Sequence, residues 1–394
     1  MPKVARILAV LLLMTAGLVC PWCIRAWAGT LRFGVGSVTT ASLTASATLV
    51  GLGIGVFLAR RALDARLART FESSRHWAFL AVGLSVTALF GLALAELGLR
   101  VLHRPFKDDW VPSENALGQF DPELGWVYRP RASATQPFGD ARRPIPMYFE
   151  GHGFRARAVD DDAQSDRPTV ALVGGSFIMG HGVTWEESVA GQLAARLPEY
   201  QVVNMGVQGY GTDQALLRLR RHVKALDLKV VVYGFICDHV RRNANEDRRV
   251  LFPGARFLGT KPRFELVDGQ LTQVARPRRY EDLSYSRVGA YVDVLWTHYG
   301  PEPQLALTRA LVQALDAEAK AAGARLVVVN WHTGDTPPEL CGPRPLDDLG
   351  VEVLSPALDP PEGWSSWVIP GDYHPTPEGH AYVADMVARS ISLR

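Results

Sequence analysis

Two short motifs, far apart in the chain, carry residue types that can perform nucleophilic chemistry together. Ser176 follows two glycines at the end of an apolar run, and His374 lies in a loop with Asp372 two positions before it. A serine hydroxyl becomes a useful nucleophile when a histidine takes its proton and a carboxylate orients that histidine. The motifs therefore predict acyl-transfer chemistry with Ser176 as nucleophile, His374 as base and Asp372 as orienting acid.

The segment after residue 167 has the pattern needed to bring these motifs together. Apolar runs at 169–173, 201–204, 228–233 and 325–330 predict strands, and helical spacing occupies 186–196, 213–226, 304–322 and 377–390. Such alternation favours a parallel sheet of about five strands covered on both faces, a three-layer α/β/α domain. Active sites in these sheets lie at the carboxyl ends of the strands, which is where Ser176 stands.

Charge and hydropathy divide the chain into a membrane part and a soluble part. Residues 1–100 carry ten basic and three acidic residues, whereas the whole chain has a formal charge of only +2. Apolar stretches at 7–27, 41–58 and 77–99 approach the length of a membrane-spanning helix. We therefore predict a membrane anchor at 1–103, a connector at 104–166 and a catalytic domain at 167–394 with an insertion at about 240–300.

The loop between the second and third stretches sets the expected orientation. It carries five arginines, and positive charge in short loops marks the cytoplasmic side of a membrane. Three crossings then place the catalytic domain on the periplasmic or extracytoplasmic side of the inner membrane. The alternative is that 7–27 is a cleaved signal peptide, which would leave two spans and return the domain to the arginine-rich side.

Several sequence blocks resemble the SGNH hydrolases, which include the GDSL-type esterases. The blocks are Val173-Gly174-Gly175-Ser176-Phe177, Asn204-Met205-Gly206-Val207-Gln208-Gly209-Tyr210-Gly211 and His374-Pro375, within a likeness that runs from about residue 121 to 391. The resemblance implies a flavodoxin-like fold. It also implies an oxyanion site formed by the backbone N–H groups of Ser176 and Gly206 and by a side chain at the position of Cys237.

The chain departs from the family pattern at three positions. Gly175 replaces the family's Asp, Cys237 replaces an Asn that donates to the oxyanion, and Asp372 is two rather than three residues before the histidine. A thiol is a poor donor, and losing one oxyanion donor costs on the order of 100- to 1,000-fold in rate. Asn243 or Asn245 would compensate, or the enzyme would be slow or use different catalysis. Asp238 and Asp335 are alternative orienting acids.

These observations predict a serine esterase that acts on O-acyl groups of a cell-surface glycan or lipid. An O-acyltransferase with the same residues and a non-catalytic glycan-binding or scaffold protein on a hydrolase fold are the alternatives. We expect no metal, no cofactor and no nucleic-acid partner, and the sequence names no protein partner. An oxidising compartment would allow Cys237 and Cys341 to pair, which the sequence leaves open.

Overall fold

The fold is described from a computed structural model. It describes residues 9, 12–13, 35–70, 74–102, 117–138, 143–164, 166–248, 258–279, 286–290, 292, 304–331, 341–342, 344–356, 362–363, 367–369 and 374–393. The chain divides into two units. The first comprises 1–104, 249–255 and 286–289, and the second comprises 105–248, 256–285 and 290–394.

The first unit is helical. Its elements are α1 (Val35–Leu58), α2 (Arg60–Thr70) and α3 (Ser74–Leu102). Two of the apolar stretches, 41–58 and 77–99, fall within α1 and α3, whereas 7–27 lies outside the described residues apart from positions 9, 12 and 13. Among the described residues, no single helix has both the length and the apolar composition of a membrane span. A bent pair, 46–58 with 60–66, meets those two criteria together.

The second unit begins with five strands and continues as an alternating α/β domain. The strands are β1 (Gly118–Asp121), β2 (Gly125–Tyr128), β3 (Ser133–Phe138), β4 (Arg143–Phe149) and β5 (Arg155–Ala156). The next elements are β6 (Pro168–Gly174), α4 (Ser176–Met179), α5 (Val189–Arg196), β7 (Gln201–Asn204), α6 (Thr212–His222), β8 (Asp227–Phe235) and α7 (Asp238–Ala244). The last are β9 (Arg263–Val267), β10 (Gln270–Ala275), α8 (Gln304–Ala321), β11 (Arg325–Asn330), β12 (Glu352–Leu354) and α9 (Pro377–Ser392).

One sheet of eight strands organises this unit, in the order β12-β11-β8-β6-β7-β5-β4-β3. The first five strands in that order are parallel, which confirms the predicted α/β class. The whole sheet is mixed and larger than the predicted parallel sheet of about five strands. The other three are antiparallel and come from the segment interpreted as a connector. That interpretation is wrong for the described part of 104–166, because β3, β4 and β5 extend the central sheet.

The core lies on both faces of the sheet because strand side chains alternate in direction. On β6, Val170 and Leu172 pack on the face covered by α5 and α9, whereas Ala171 and Val173 pack on the opposite face with α6 and α8. All four side chains are fully buried. The three-layer arrangement therefore follows from strands that are apolar on both faces.

Within the predicted insertion at 240–300, the described residues include a hairpin of β9 and β10. Lys261, just before β9, forms an ion pair with Asp213 near the start of α6, and both side chains are fully buried. Breaking a buried ion pair leaves an unpaired charge in the interior. The pair therefore ties the start of the hairpin to the helix that follows β7.

Candidate active site

A sharp turn at the end of β6 presents Ser176 at the carboxyl edge of the sheet. Gly174 has φ +148°, in the range that favours glycine, and a Cβ there would lie 3.0 Å from the carbonyl oxygen of Gly234. Ser176 is the first residue of α4 and is only 4% exposed. The glycine therefore allows the chain to pass from a buried strand directly into the helix that carries the serine.

The structure brings His374 to this serine. Nε2 of His374 lies 2.7 Å from Oγ of Ser176, which is hydrogen-bonding distance. The backbone around the histidine is fixed because the Ile369 N–H donates to the His374 carbonyl at 2.7 Å. The predicted serine–histidine contact is therefore present in the structure.

Two aromatic rings set the orientation of the His374 imidazole. Phe177, the residue after the nucleophile, meets it edge-on with ring centroids 5.0 Å apart. The ring of His181 lies 4.5 Å away by the same measure. Both residues belong to the segment that begins with Ser176, so the helix and loop that carry this serine also contact the ring of His374.

Three aspartates were predicted as candidates for the acid that orients His374, and the structure describes one of them. Asp372 and Asp335 lie outside the described residues. Asp238 is described, and its Oδ2 accepts from Nε of Arg242 at 2.6 Å. Burial raises the pKa of Asp238, but the charges of Arg242 and Arg248 outweigh it and the net shift is downward. Asp238 is therefore the counter-ion of Arg242, and the roles of Asp372 and Asp335 stay predictions.

The hydrogen bond made by the Gly206 N–H argues against its predicted role as an oxyanion donor. The Gly206 N–H donates to Oδ1 of Asn204 at 3.0 Å, and a Cβ at Gly206 would lie 2.4 Å from the Met179 nitrogen. Gly206 is thus a packing residue under α4, and its donor is already used. The prediction that Gly206 binds the oxyanion is not supported by this geometry.

Two other N–H groups remain available. Within the described residues, the backbone nitrogens of Ser176 and Gly209 have no hydrogen-bond acceptor, whereas those of the neighbouring 205–208 and 210–212 do. Gly209 has φ +78°, and the carbonyl of the next residue, Tyr210, lies 3.3 Å from the Cβ position of Gly175. Because buried N–H groups are nearly always paired, these two free donors, one on Ser176 and one in the loop that approaches Gly175, are candidates for an oxyanion site.

The residue at the usual Asn position, Cys237, does not supply a donor. It forms a disulfide with Cys341, whose Cα is 5.8 Å away. A disulfide sulfur has no hydrogen to donate, so the prediction that Cys237 completes the oxyanion site is wrong. Neither proposed substitute fits, because the amide of Asn243 binds Thr212 and Thr308 and that of Asn245 donates to the Arg241 carbonyl.

A buried arginine holds the segment that follows the nucleophile. Nη1 of Arg155 donates to the carbonyl oxygens of Met179, at 2.6 Å, and Gly180, and its Nη2 donates to that of Val183 at 2.6 Å. Burial lowers the pKa of this guanidinium to about 10, so it stays charged at neutral pH. No local pattern in the sequence indicates this contact, because Arg155 and the carbonyls that it binds are 24 to 28 residues apart in the chain.

Neither a protein-family model nor a curated protein sequence matches this chain. Solved structures do resemble it. They include a putative lipolytic protein of the G-D-S-L family from Desulfitobacterium hafniense, at 13% identity, covering 56% of this chain and 98% of that one, with a TM-score of 0.34. A lipase/acylhydrolase from Enterococcus faecalis is 14% identical over 57% of this chain and 95% of that one, also with a TM-score of 0.34.

A third similar structure is a catalytic mutant of an acetylxylan esterase from Geobacillus stearothermophilus. Its identity is 15%, over 58% of this chain and 95% of that one, with a TM-score of 0.33. At these identities and scores, conclusions about chemistry have to rest on the geometry around Ser176 and His374.

Proposed function

We propose that this protein is a serine esterase that removes O-acyl groups from a cell-surface glycan or lipid. The observation that carries the proposal is the 2.7 Å contact between Nε2 of His374 and Oγ of Ser176 at the carboxyl edge of a parallel sheet. In such sheets this edge is the usual location of the active site. A serine at a strand end paired with a histidine from the far end of the chain supports acyl transfer better than a binding role.

The reaction follows from the roles of these groups. Ser176 Oγ attacks the ester carbonyl carbon while His374 Nε2 takes the hydroxyl proton, and the carbonyl oxygen becomes an oxyanion near the free N–H groups of Ser176 and Gly209. The carbon–oxygen bond to the leaving alcohol then breaks, and His374 returns the proton to that alcohol. Water attacks the acyl-serine with His374 again as base, which releases the carboxylic acid and regenerates Ser176.

The proposed location favours an acylated surface molecule as substrate. The positive charge of the first hundred residues supports an anchored N-terminus on the cytoplasmic side. A disulfide between Cys237 and Cys341 supports an oxidising compartment for the catalytic unit, because disulfides are rare in the cytosol. Ester-linked acyl groups on glycans or lipids of the envelope would be within reach of such an enzyme.

The test uses the full-length protein in detergent micelles with p-nitrophenyl acetate as probe. We expect p-nitrophenol release by the wild type, and loss of release by at least about 1,000-fold in Ser176→Ala and in His374→Ala. Ser390→Ala serves as the matched control, because this serine lies at the other end of α9 and hydrogen-bonds to Glu352. A fluorophosphonate probe should label the wild type and Ser390→Ala at Ser176.

Three outcomes decide between the alternatives. Equal activity in the wild type and Ser176→Ala would refute the proposed nucleophile. Labelling of Ser176 without turnover in water, but with acetyl transfer to an added sugar hydroxyl, would identify an O-acyltransferase. Absence of labelling in folded protein would favour a binding protein on a hydrolase fold.

A further inference from the structure

A buried histidine lies against the turn at residues 174–176, which we call the nucleophile turn. One of its ring nitrogens has no hydrogen-bond partner among the described residues. His239 is on α7, directly after β8, and is 1% exposed. Its Nε2 lies 3.3 Å from the position that a Cβ at Gly175 would occupy. In the described part of the structure this nitrogen has no hydrogen-bond partner. Buried ring nitrogens without partners are rare, and each calls for an explanation.

A chain of buried hydrogen bonds determines which nitrogen of His239 carries the proton. Oδ1 of Asn243 accepts from the Thr212 N–H at 2.8 Å, so its Nδ2 is the donor to Oγ1 of Thr212 at 2.9 Å. Oγ1 of Thr212 lies 2.6 Å from the Tyr233 hydroxyl, which in turn lies 2.7 Å from Nδ1 of His239. All four side chains are buried.

Only one assignment of donors and acceptors along these hydrogen bonds gives every hydroxyl hydrogen an acceptor. If Thr212 donates to Tyr233 and Tyr233 donates to Nδ1 of His239, each hydroxyl has both a donor and an acceptor. In the reverse direction the Thr212 hydroxyl hydrogen would have no acceptor among the contacts described. The first direction leaves Nδ1 as an acceptor and places the hydrogen of the neutral imidazole on Nε2.

Burial keeps this imidazole neutral. The pKa of His239 is lowered well below its usual value, mainly by burial and then by the charge of Arg242. A neutral ring has one hydrogen, and the chain of hydroxyl groups assigns it to Nε2. The nitrogen nearest the nucleophile turn is therefore a donor without an acceptor.

The position of this donor is suited to an oxygen bound at Ser176. The Cβ position of Gly175 is about 3 Å from the Ser176 amide nitrogen, so Nε2 of His239 lies within roughly 6 Å of that nitrogen. Two donors that bind one oxygen at about 3 Å each are separated by no more than about 6 Å. The neighbouring Arg242 is already engaged, because its Nη1 donates to the Tyr210 carbonyl at 3.0 Å.

We propose that His239 donates from Nε2 to the substrate oxyanion, in the role that the disulfide-bonded Cys237 cannot fill. The proposal rests on the serine esterase function proposed above. It explains how this protein can have a cysteine at position 237 and still keep a side-chain donor at the site. It also explains the glycine at position 175, because a Cβ there would lie only 3.3 Å from Nε2 of His239.

The test compares p-nitrophenyl acetate hydrolysis by four full-length proteins. His239→Phe keeps a ring but removes the donor, and we expect kcat to fall about 100- to 1,000-fold with little change in KM. His239→Gln retains an N–H and should recover at least tenfold of that loss. His222→Phe is the control, because it also replaces a neutral histidine, here half-buried and at the far end of α6, and its kcat should stay within about threefold.

A second measurement does not depend on activity. Nitrogen-15 NMR of the histidine side chains should show the Nε2–H form for His239 in the wild type. The Nδ1–H form would overturn the proposal, as would a His239→Phe enzyme with wild-type kcat, which would leave an ordered water as the partner of Nε2. A wild type no more active than Ser176→Ala would instead refute the esterase function itself.

Discussion

Nη2 of Arg155 donates to the carbonyl oxygen of Val183 at 2.6 Å, linking the short strand β5 to the loop that follows the nucleophile helix. The same guanidinium also binds the carbonyls of Met179 and Gly180. This loop carries His181, whose ring lies beside that of His374. One buried arginine therefore supports both the end of α4 and the surroundings of the base.

We expect Arg155→Lys to destabilise the protein and to slow the reaction. An ammonium group cannot reach three carbonyls in the way that a planar guanidinium does, so at least one buried carbonyl loses its donor. The free energy of unfolding should fall by about 2–4 kcal/mol, and kcat should fall with it. Urea unfolding and p-nitrophenyl acetate hydrolysis measure the two effects.

Arg143→Lys is the control for that substitution. Arg143 pairs with Glu187 but is 45% exposed, so its replacement should cost less than about 1 kcal/mol. Equal losses in both variants would contradict the role assigned to Arg155.

Reduction of the Cys237–Cys341 disulfide should lower stability substantially. The bond closes a loop of 104 residues, and loops of that length give a stabilisation of roughly 2–5 kcal/mol. The double variant Cys237→Ser/Cys341→Ser should show the same loss without reductant and no further change with it. An unchanged melting temperature in the double variant would show that the bond contributes nothing to the folded state.

Acid should destabilise the protein through its buried histidines. Burial lowers the pKa of His380 to about 3, mainly because the fully buried ring cannot be hydrated when charged. Between the unfolded pKa near 6.5 and this folded value, the unfolded state binds a proton that the folded state does not. The free energy of unfolding therefore falls as pH falls, by about 1.4 kcal/mol per pH unit for this one group.

Between pH 6.5 and 5, the change in stability caused by the buried histidines can be measured without the change caused by protonation of Glu187. The pKa of Glu187 is lowered to about 2, chiefly by its hydrogen bond to Arg143, so it loses stability only at lower pH. His380→Phe should reduce the slope of unfolding free energy against pH in that window. A slope identical to that of the wild type would contradict the lowered pKa.

Fusion reporters test the proposed membrane topology. Alkaline phosphatase joined after residue 394 should be active in cells because it requires an oxidising exterior, whereas fusion within the arginine-rich loop at 59–75 should be inactive. A green fluorescent protein fusion at each place should give the opposite pattern. Fluorescence after residue 394 would favour two spans and a cleaved signal peptide.

The sequence was sufficient to predict the central elements and the serine–histidine pair. The four apolar runs correspond to β6, β7, β8 and β11, because strands buried on both faces are continuous in their apolar character. Strand β12 was not predicted, since its three residues are only half-buried and include Glu352.

The missed parts of the site are those that depend on contacts distant in sequence. Gly206 and Gly209 lie in the same sequence block, and the sequence does not show which of their backbone N–H groups is free. The structure distinguishes them because the Gly206 N–H donates to Asn204. Nothing in the sequence around His239 indicates that it contributes to the site. Its relation to Gly175 arises because β6 and β8 are neighbours in the sheet, which no local pattern records.

The antiparallel extension changes what counts as the smallest working catalytic unit. Cutting the chain at residue 167, where the alternating pattern begins, would discard β5 and with it Arg155. Three carbonyls behind the nucleophile helix would then face an empty space, and β7 would gain a bare edge able to pair with other chains. A soluble version of the proposed esterase therefore has to retain β3, β4 and β5, and shorter versions should aggregate even though they keep Ser176 and His374.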